Sequence, residues 1–318
     1  MTRRVLLTGA TGFVGGHLFP ALAASGHSVV CASRDPRRAE GRHPERTWVE
    51  LDVQRPETLP GALEEIDVVY YLVHAMAEGE GYHERELRAA RDLREAVAEA
   101  GVERVIYLGG VAPAGPPSEH LESRLATGRV LRGGDVPCVE LRAGMIIGAG
   151  SASWRVCRDL AVRLPFMILP RWLETRSQPI AIEDVVVALE ASATIEIPHS
   201  VVYDIPGPEV LSAKEILFRI ARLRGTEPRA IGVPLLTPRL SSYWLKLVSG
   251  ADFSVARELV EGLRSDLVAP DEGLWARLPD HERIAFDEAA RRALAADGPA
   301  PLRTRLLEGA ARRLARTT

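Results

Sequence analysis

Val5-Leu6-Leu7-Thr8-Gly9-Ala10-Thr11-Gly12-Phe13-Val14-Gly15 is the stretch whose reading decides the fold. A short apolar run reads as a strand buried on both faces, and the glycines after it read as a tight turn that opens a helix. Gly9 permits the turn, Gly12 lets a main chain approach a diphosphate, and Gly15 lets the helix pack closely on the sheet. The first turn of such a helix offers N–H groups with no intrahelical acceptor and the positive end of the helix dipole. Alone, G-x-x-G-x-x-G is a weak signal. In a strand–turn–helix context followed by further units of the same kind, it reads as a dinucleotide site. Gly9, Thr11, Gly12, Phe13, Val14 and Gly15 are therefore the expected cofactor-binding residues of this turn.

Working outward, short runs rich in β-branched residues recur at 4–8, 28–32, 47–51, 67–72, 104–108 and 138–142. Between them, helical patterns occupy 13–25, 57–65, 82–100 and 119–131. In the third helix Leu87, Ala90, Leu93 and Val97 share one face, and Gly26 and Gly101 stand at expected helix ends. Alternation of this kind predicts an α/β Rossmann fold, a doubly wound parallel sheet with helices on both faces. After residue 150 the alternation loosens and prolines punctuate the chain. The expected organisation is a nucleotide-binding core over 1–150, then a part over 151–318 that completes the sheet and forms a small irregular C-terminal substrate lobe.

Composition narrows the partners. The chain has 318 residues, 46% of them hydrophobic, enough for a sizeable core, and a net charge of -3 gives no basic excess for nucleic acid. Cys31, Cys138 and Cys157 lack metal-type spacing, and His83-Glu84-Arg85-Glu86 lacks the second histidine of a zinc motif, so no metal is expected. The apolar run before Thr8 is too short for a signal peptide, and the longest apolar stretch, 68–77, contains His74 and cannot span a bilayer. The expectation is a cytoplasmic protein with no transmembrane segment, with a homo-oligomer or a protein partner left open.

The end of the second strand selects the nucleotide. An NAD site places an acid there for the ribose hydroxyls. This chain reads Ser33-Arg34-Asp35, and Arg34 is suited to a 2′-phosphate. NADP(H) is thus favoured over NAD(H), with Asp35 keeping NAD open. Asp52 and Val53 fall beside the adenine ring. Leu72 and His74 follow the fourth strand, and Gly109 ends the fifth, all on the carboxyl edge where ligands bind in such sheets.

With these residues in hand, the sequence resembles the extended and atypical short-chain dehydrogenase/reductases, most of all the NmrA-like and epimerase/dehydratase-like NAD(P)H-binding proteins. Thr8 to Gly15, Tyr71-Leu-Val-His-Ala-Met76, Arg104 to Gly110, Leu141 to Gly148, Gly150 to Trp154, Leu164 to Trp172 and Gln178 to Val185 carry the resemblance. It implies a Ser or Thr after the fifth strand and a Tyr-x-x-x-Lys on the next helix as the proton-transfer machinery. This chain has Gly109-Gly110-Val111 and no such tyrosine pair. His120 stands at the tyrosine position and Arg124 at the lysine position. Either His120 moves the proton while Arg124 orients the ribose, or proton transfer is lost and the site only binds nucleotide. The resemblance also places 148–154 by the nicotinamide and substrate, with Trp154, Met167, Trp172 and Gln178 as pocket candidates and Arg171 and Arg176 near an anionic group. Residues 235–248 read as a core helix, a lid or an oligomer contact, and 301–318 as a basic amphipathic helix.

The activity this implies is hydride transfer to a small carbonyl or quinone-like molecule. A non-catalytic NAD(P)-binding sensor or scaffold is the alternative from another class. A sugar-nucleotide epimerase or dehydratase is a third reading, weakened by the absent tyrosine.

Overall fold

In the computed structural model, described over residues 2–73, 81–163, 166–169, 174–226, 229–232, 265–270 and 272–297, seven parallel strands form the main sheet. They are β1 (Arg4–Leu7), β2 (Ser28–Ser33), β3 (Thr47–Glu50), β4 (Val68–Tyr71), β5 (Arg104–Gly110), β6 (Cys138–Ala143) and, after four short strands outside this sheet, β11 (Val201–Asp204). Their order is β3-β2-β1-β4-β5-β6-β11. The order reverses between β1 and β4, the position where ligands bind in doubly wound sheets.

The pleat explains the two layers. Val5 and Leu7 point to one face with Cys31, Val68, Tyr70, Ile106, Leu108, Val139 and Leu141. There they meet α1 (Phe13–Ala24) and α7 (Ile182–Ala191) through Leu18, Leu22, Val185 and Leu189. Leu6, Val69, Tyr71, Val105 and Tyr107 point to the other face, against α3 (Leu59–Ala62), α4 (Tyr82–Glu99) and α5 (Glu119–Arg132). Strands apolar on both sides can persist only with helices covering both.

The six expected strands and the helices at 13–25, 82–100 and 119–131 appear with ends shifted by at most two residues. The helix expected over 57–65 is instead a 3₁₀ turn, Pro56–Thr58, followed by the short α3. Pro60 lacks an N–H and suits the first turn of a helix, so the helix restarts there as α3, although α1 carries Pro20 within it. The five-residue α2 (Pro36–Glu40) was not anticipated. Its start signals are Asp35, whose carboxylate accepts from the Arg38 N–H at 3.0 Å, and Pro36 at its first position.

Beyond residue 150 a separate apolar cluster joins α6 (Ala152–Arg163), α8 (Ala213–Leu223) and α9 (Phe286–Ala296). Ser212 and Glu215 form a reciprocal capping box at the start of α8. The fully buried Asp184 at the start of α7 accepts from the Ile284 N–H at 3.0 Å and lies 2.9 Å from His281 Nε2, which fastens the segment before α9 to the sheet layer. Among the described residues, no helix is long and apolar enough to cross a membrane, and no cluster of three His, Cys, Asp or Glu side chains is placed to hold a metal.

Candidate nucleotide and substrate site

The site begins with Thr8. Its N–H and its hydroxyl both donate to the Tyr70 carbonyl, at 3.0 and 2.9 Å, and its Oγ1 accepts the Leu72 N–H at 2.9 Å. One buried hydroxyl thus stitches together the carboxyl ends of β1 and β4. The stitch drives the Leu72 carbonyl against Gly9, where a Cβ would lie 2.8 Å from that oxygen; φ is also +65°. Glycine is therefore required twice at this position. The Gly12 N–H closes the turn on the Gly9 carbonyl at 2.9 Å, and α1 starts at once. Gly15 packs so tightly that a Cβ there would sit 2.3 Å from the Gly9 carbonyl oxygen.

No side chain caps α1, and its first turn holds no acid. Among the described residues the N–H groups of Thr11, Phe13, Val14 and Gly15 find no acceptor. Converging amides on a turn that only glycine can form are suited to the diphosphate of a dinucleotide.

At the end of β2, Asp35 is committed to capping α2, and the Ser33 hydroxyl bonds the Asp35 main chain, its Oγ 3.2 Å from the Asp35 N and 3.1 Å from the Asp35 carbonyl oxygen. The acid nearest the strand end is turned back on its own helix, while Arg34 beside it is exposed. Asp52 Oδ1 likewise accepts the Gln54 N–H at 3.0 Å, and Val53 packs under the loop.

At the other end, Gly109 and Gly110 are the last residues of β5. A Cβ on Gly110 would come within 2.7 Å of Leu121 Cδ1, so Leu121 fills the space where the resemblance calls for a hydroxyl. Arg124 Nη2 donates to the Leu108 carbonyl at 2.9 Å, which sets its guanidinium against the end of β5. Its Nε is buried without a partner among the described residues. His120, one turn earlier on α5, is half-buried. Burial first, and the nearby Arg124 charge second, push its pKa down to about 4, so the imidazole is neutral at pH 7. Tyr71 and Tyr107 do not supply the missing phenol: both are buried on the α4–α5 face, and burial raises both pKa values.

Phe13 links the two ends. A Cβ on Gly148 would lie 2.7 Å from the tip of its ring, and Gly150, at φ +97°, lies against the same ring. The loop after β6 is thus shaped around the first residue of α1. Trp154 needs correction: it is fully buried in the C-terminal cluster, and its indole N–H donates to Asp297 Oδ2 at 3.1 Å, so among the described residues it is a core residue. Gln178 is half-buried, and its Oε1 accepts the Ala269 N–H at 2.8 Å. Arg176 pairs with Asp266. Met167 lies in β8 (Phe166–Leu169), its side chain outside the described set. His74, Arg171, Trp172 and the stretches 235–248 and 301–318 lie outside the described residues.

Sequence reasoning missed Thr8 as a stitch and missed Glu140. Glu140 is fully buried on β6, accepts from Arg132 Nε at 2.7 Å and from Arg142 Nε at 2.8 Å, and packs against Gly109 and Gly128. An acid in an otherwise apolar strand, followed two residues later by an arginine, was the available signal.

Residues 5–132 match the model of the NAD dependent epimerase/dehydratase family. Ceramide reductase of Caulobacter vibrioides is 29% identical over 235 residues, 72% of this chain and 73% of that protein. A nucleoside-diphosphate-sugar epimerase from Staphylococcus aureus superposes with a TM-score of 0.74 at 16% identity, covering 91% of this chain and 99% of the other. An NADPH-dependent quinone oxidoreductase from Escherichia coli, solved with NADPH, superposes at 0.71 with 16% identity over 90% and 98%. The resemblance to epimerase/dehydratase-like NAD(P)-binding proteins and the Rossmann fold are borne out.

Proposed function

Taking residues 5–132 as an NAD(P)-binding region of the epimerase/dehydratase type, we propose that the protein is an NADP(H)-preferring oxidoreductase acting on a small carbonyl or quinone-like molecule. The observation that carries the reading is the uncapped turn over Gly9–Gly15, whose free amides face the carboxyl edge of the sheet. The 2′-phosphate preference rests on Asp35 being occupied as a helix cap while Arg34 is exposed. The ceramide reductase relative and the lack of a Tyr-x-x-x-Lys pair support a reductase over an epimerase.

In this reading, 1–150 holds the nucleotide, and 151–318 completes the sheet and forms the substrate lobe. A bound nicotinamide supplies the hydride. Phe13 and the 148–150 loop, which pack on each other, would help to hold it. In the reductive direction the substrate oxygen takes up a proton; His120, held neutral, relays one from water at the mouth of β5, accepting at one ring nitrogen as it donates from the other, and Arg124 fixes the helix that carries it. A neutral imidazole suits a base better than an acid, so a quinone, whose reduction can take its protons from water, fits this site better than a substrate needing a strong proton donor.

The test is NADPH oxidation with a panel of quinones and carbonyls by wild type and His120→Ala. Turnover should fall about 100-fold in the variant for carbonyls and much less for quinones. No oxidation by wild type across the panel would overturn the enzyme reading.

Two observations favour a second reading, a nucleotide-binding sensor or scaffold. Leu121 fills the hydroxyl position and the Arg124 Nη2 is bonded to the Leu108 carbonyl. Tight NADP(H) binding without turnover, together with a co-purifying partner, would decide for it.

A further inference from the structure

Arg46 lies in the loop before β3, far in sequence from the glycine-rich turn, and belongs to no motif. Its loop is firmly built: the Arg46 N–H and the Trp48 indole N–H both donate to the His43 carbonyl, at 3.2 and 3.0 Å, and the His43 ring packs on Trp48. From there the Arg46 side chain, only 9% exposed, runs beneath α1. Its guanidinium lies over the Phe19 ring at 4.3 Å, its Nε donates to Glu45 at 3.0 Å, and its Nη1 donates to the Ala10 carbonyl at 3.1 Å. Ala10 is the second residue of the turn.

The consequence follows from the peptide plane. The Ala10 carbonyl and the Thr11 N–H belong to one trans peptide and point in opposite directions. Holding the carbonyl down toward the guanidinium holds the N–H up. Burial agrees: Ala10 is fully buried, whereas Thr11 and Gly12 are exposed. The Thr11 N–H finds no acceptor among the described residues. Among the described residues this peptide has no other hydrogen bond at either end, and a charge-assisted one from a side chain locked on an aromatic ring is a strong way to hold its orientation.

We propose that Arg46 is a positioning residue for nucleotide binding: by fixing the Ala10–Thr11 peptide from below, it aims the Thr11 N–H at a phosphate oxygen of the dinucleotide. This rests on the nucleotide-binding reading above. The phosphate belongs either to the diphosphate or to the 2′-phosphate, and comparison of two ligands separates them.

The experiment is calorimetric titration of wild type, Arg46→Met, Arg46→Lys and Phe19→Leu with NADP⁺ and with NAD⁺, at a temperature well below each melting point. Arg46→Met keeps the apolar stem over Phe19 and loses the donor, and its Kd should rise about tenfold, the loss of one such hydrogen bond. Arg46→Lys, which keeps a donor, should recover most of the affinity. Phe19→Leu loosens the guanidinium and should weaken binding several-fold, which keeps the proposal open to test if Arg46→Met does not fold. Equal losses for the two ligands assign the diphosphate; a loss confined to NADP⁺ assigns the 2′-phosphate. Wild-type affinity in Arg46→Met, or a defect in Arg46→Lys as deep as in Arg46→Met, overturns the positioning role. Absence of binding by wild type to either nucleotide overturns the functional reading itself and this proposal with it.

Discussion

Gly15 and Gly16 are adjacent residues of α1, yet the structure assigns them opposite tolerances. A Cβ on Gly15 would lie 2.3 Å from the Gly9 carbonyl oxygen and 2.9 Å from Ala10 Cα, while one on Gly16 would meet nothing within 4 Å. Both Gly15 obstacles are backbone, so no side-chain rotation relieves the clash. Restoring a tolerable separation of 3.0 to 3.4 Å requires the helix start to retreat from the turn by roughly 0.7 to 1 Å. A 2.9 Å hydrogen bond stretched by that amount is no longer one. Losing one or two charge-assisted bonds to phosphate costs about 1.5–4 kcal/mol, or about 10- to 1000-fold in Kd. The strain itself should lower stability by roughly 1–3 kcal/mol. Gly16→Ala introduces no clash and trades a poor helix former for the best, so it should bind as wild type and gain up to about 1 kcal/mol of stability. The assay pairs calorimetric titration with NADP⁺ and denaturant unfolding followed by tryptophan fluorescence. Equal affinities for Gly15→Ala and Gly16→Ala would refute the assignment of this turn as the phosphate cradle.

Two further outcomes are expected. Glu140→Gln leaves Arg132 and Arg142 facing a neutral amide; because both arginines keep some solvent, the loss should fall at the lower end for a broken buried pair, about 3 kcal/mol, read as a lower urea midpoint. His120 has a folded pKa of about 4, below the unfolded value near 6.5, so the unfolded chain takes up the proton first. Stability should therefore be lost as the pH falls from about 6.5 to 4, by less than roughly 3 kcal/mol, with no change from this group above pH 7. His120→Asn should flatten that part of the curve, and an unaltered slope would count against a desolvated imidazole.

The main sheet was legible because its strands are apolar on both faces, and runs such as Val68–Tyr71 are too short for helices and too uniform for loops. The turn at Gly9 was legible for the same reason that it functions: only glycine meets both its φ and its close approach. Elsewhere the sequence carried less. The helix expected over 57–65 ignored Pro60. The partner strand of β6 lay after residue 150, among prolines that masked four suitable residues, Val201–Asp204. Trp154 looked exposed to ligand because it follows a glycine-rich loop, but Trp154, Cys157 and Ala161 recur at helical spacing and turn that face inward. Thr8 and Arg46 act through carbonyls of residues distant in sequence, and main-chain acceptors leave no trace in side-chain patterns. The loss of the usual tyrosine was visible in the sequence; that Leu121 takes the vacated space beside Gly110 was not.

The seventh strand has a consequence for dissection of the gene product. β11 comes from the far half of the chain, yet it zips onto β6 in register from Val201 opposite Val139 to Asp204 opposite Arg142. α7, from that same half, roofs the face of the sheet that α1 covers only in part, and the Tyr70 hydroxyl donates to the Leu189 carbonyl at 3.2 Å. A polypeptide halted at residue 150 would keep every amide of the glycine turn and still present a raw β6 flank and an unroofed apolar layer to water. Such a fragment should self-associate rather than titrate with nucleotide. The smallest unit worth expressing for binding work therefore reaches at least to residue 204.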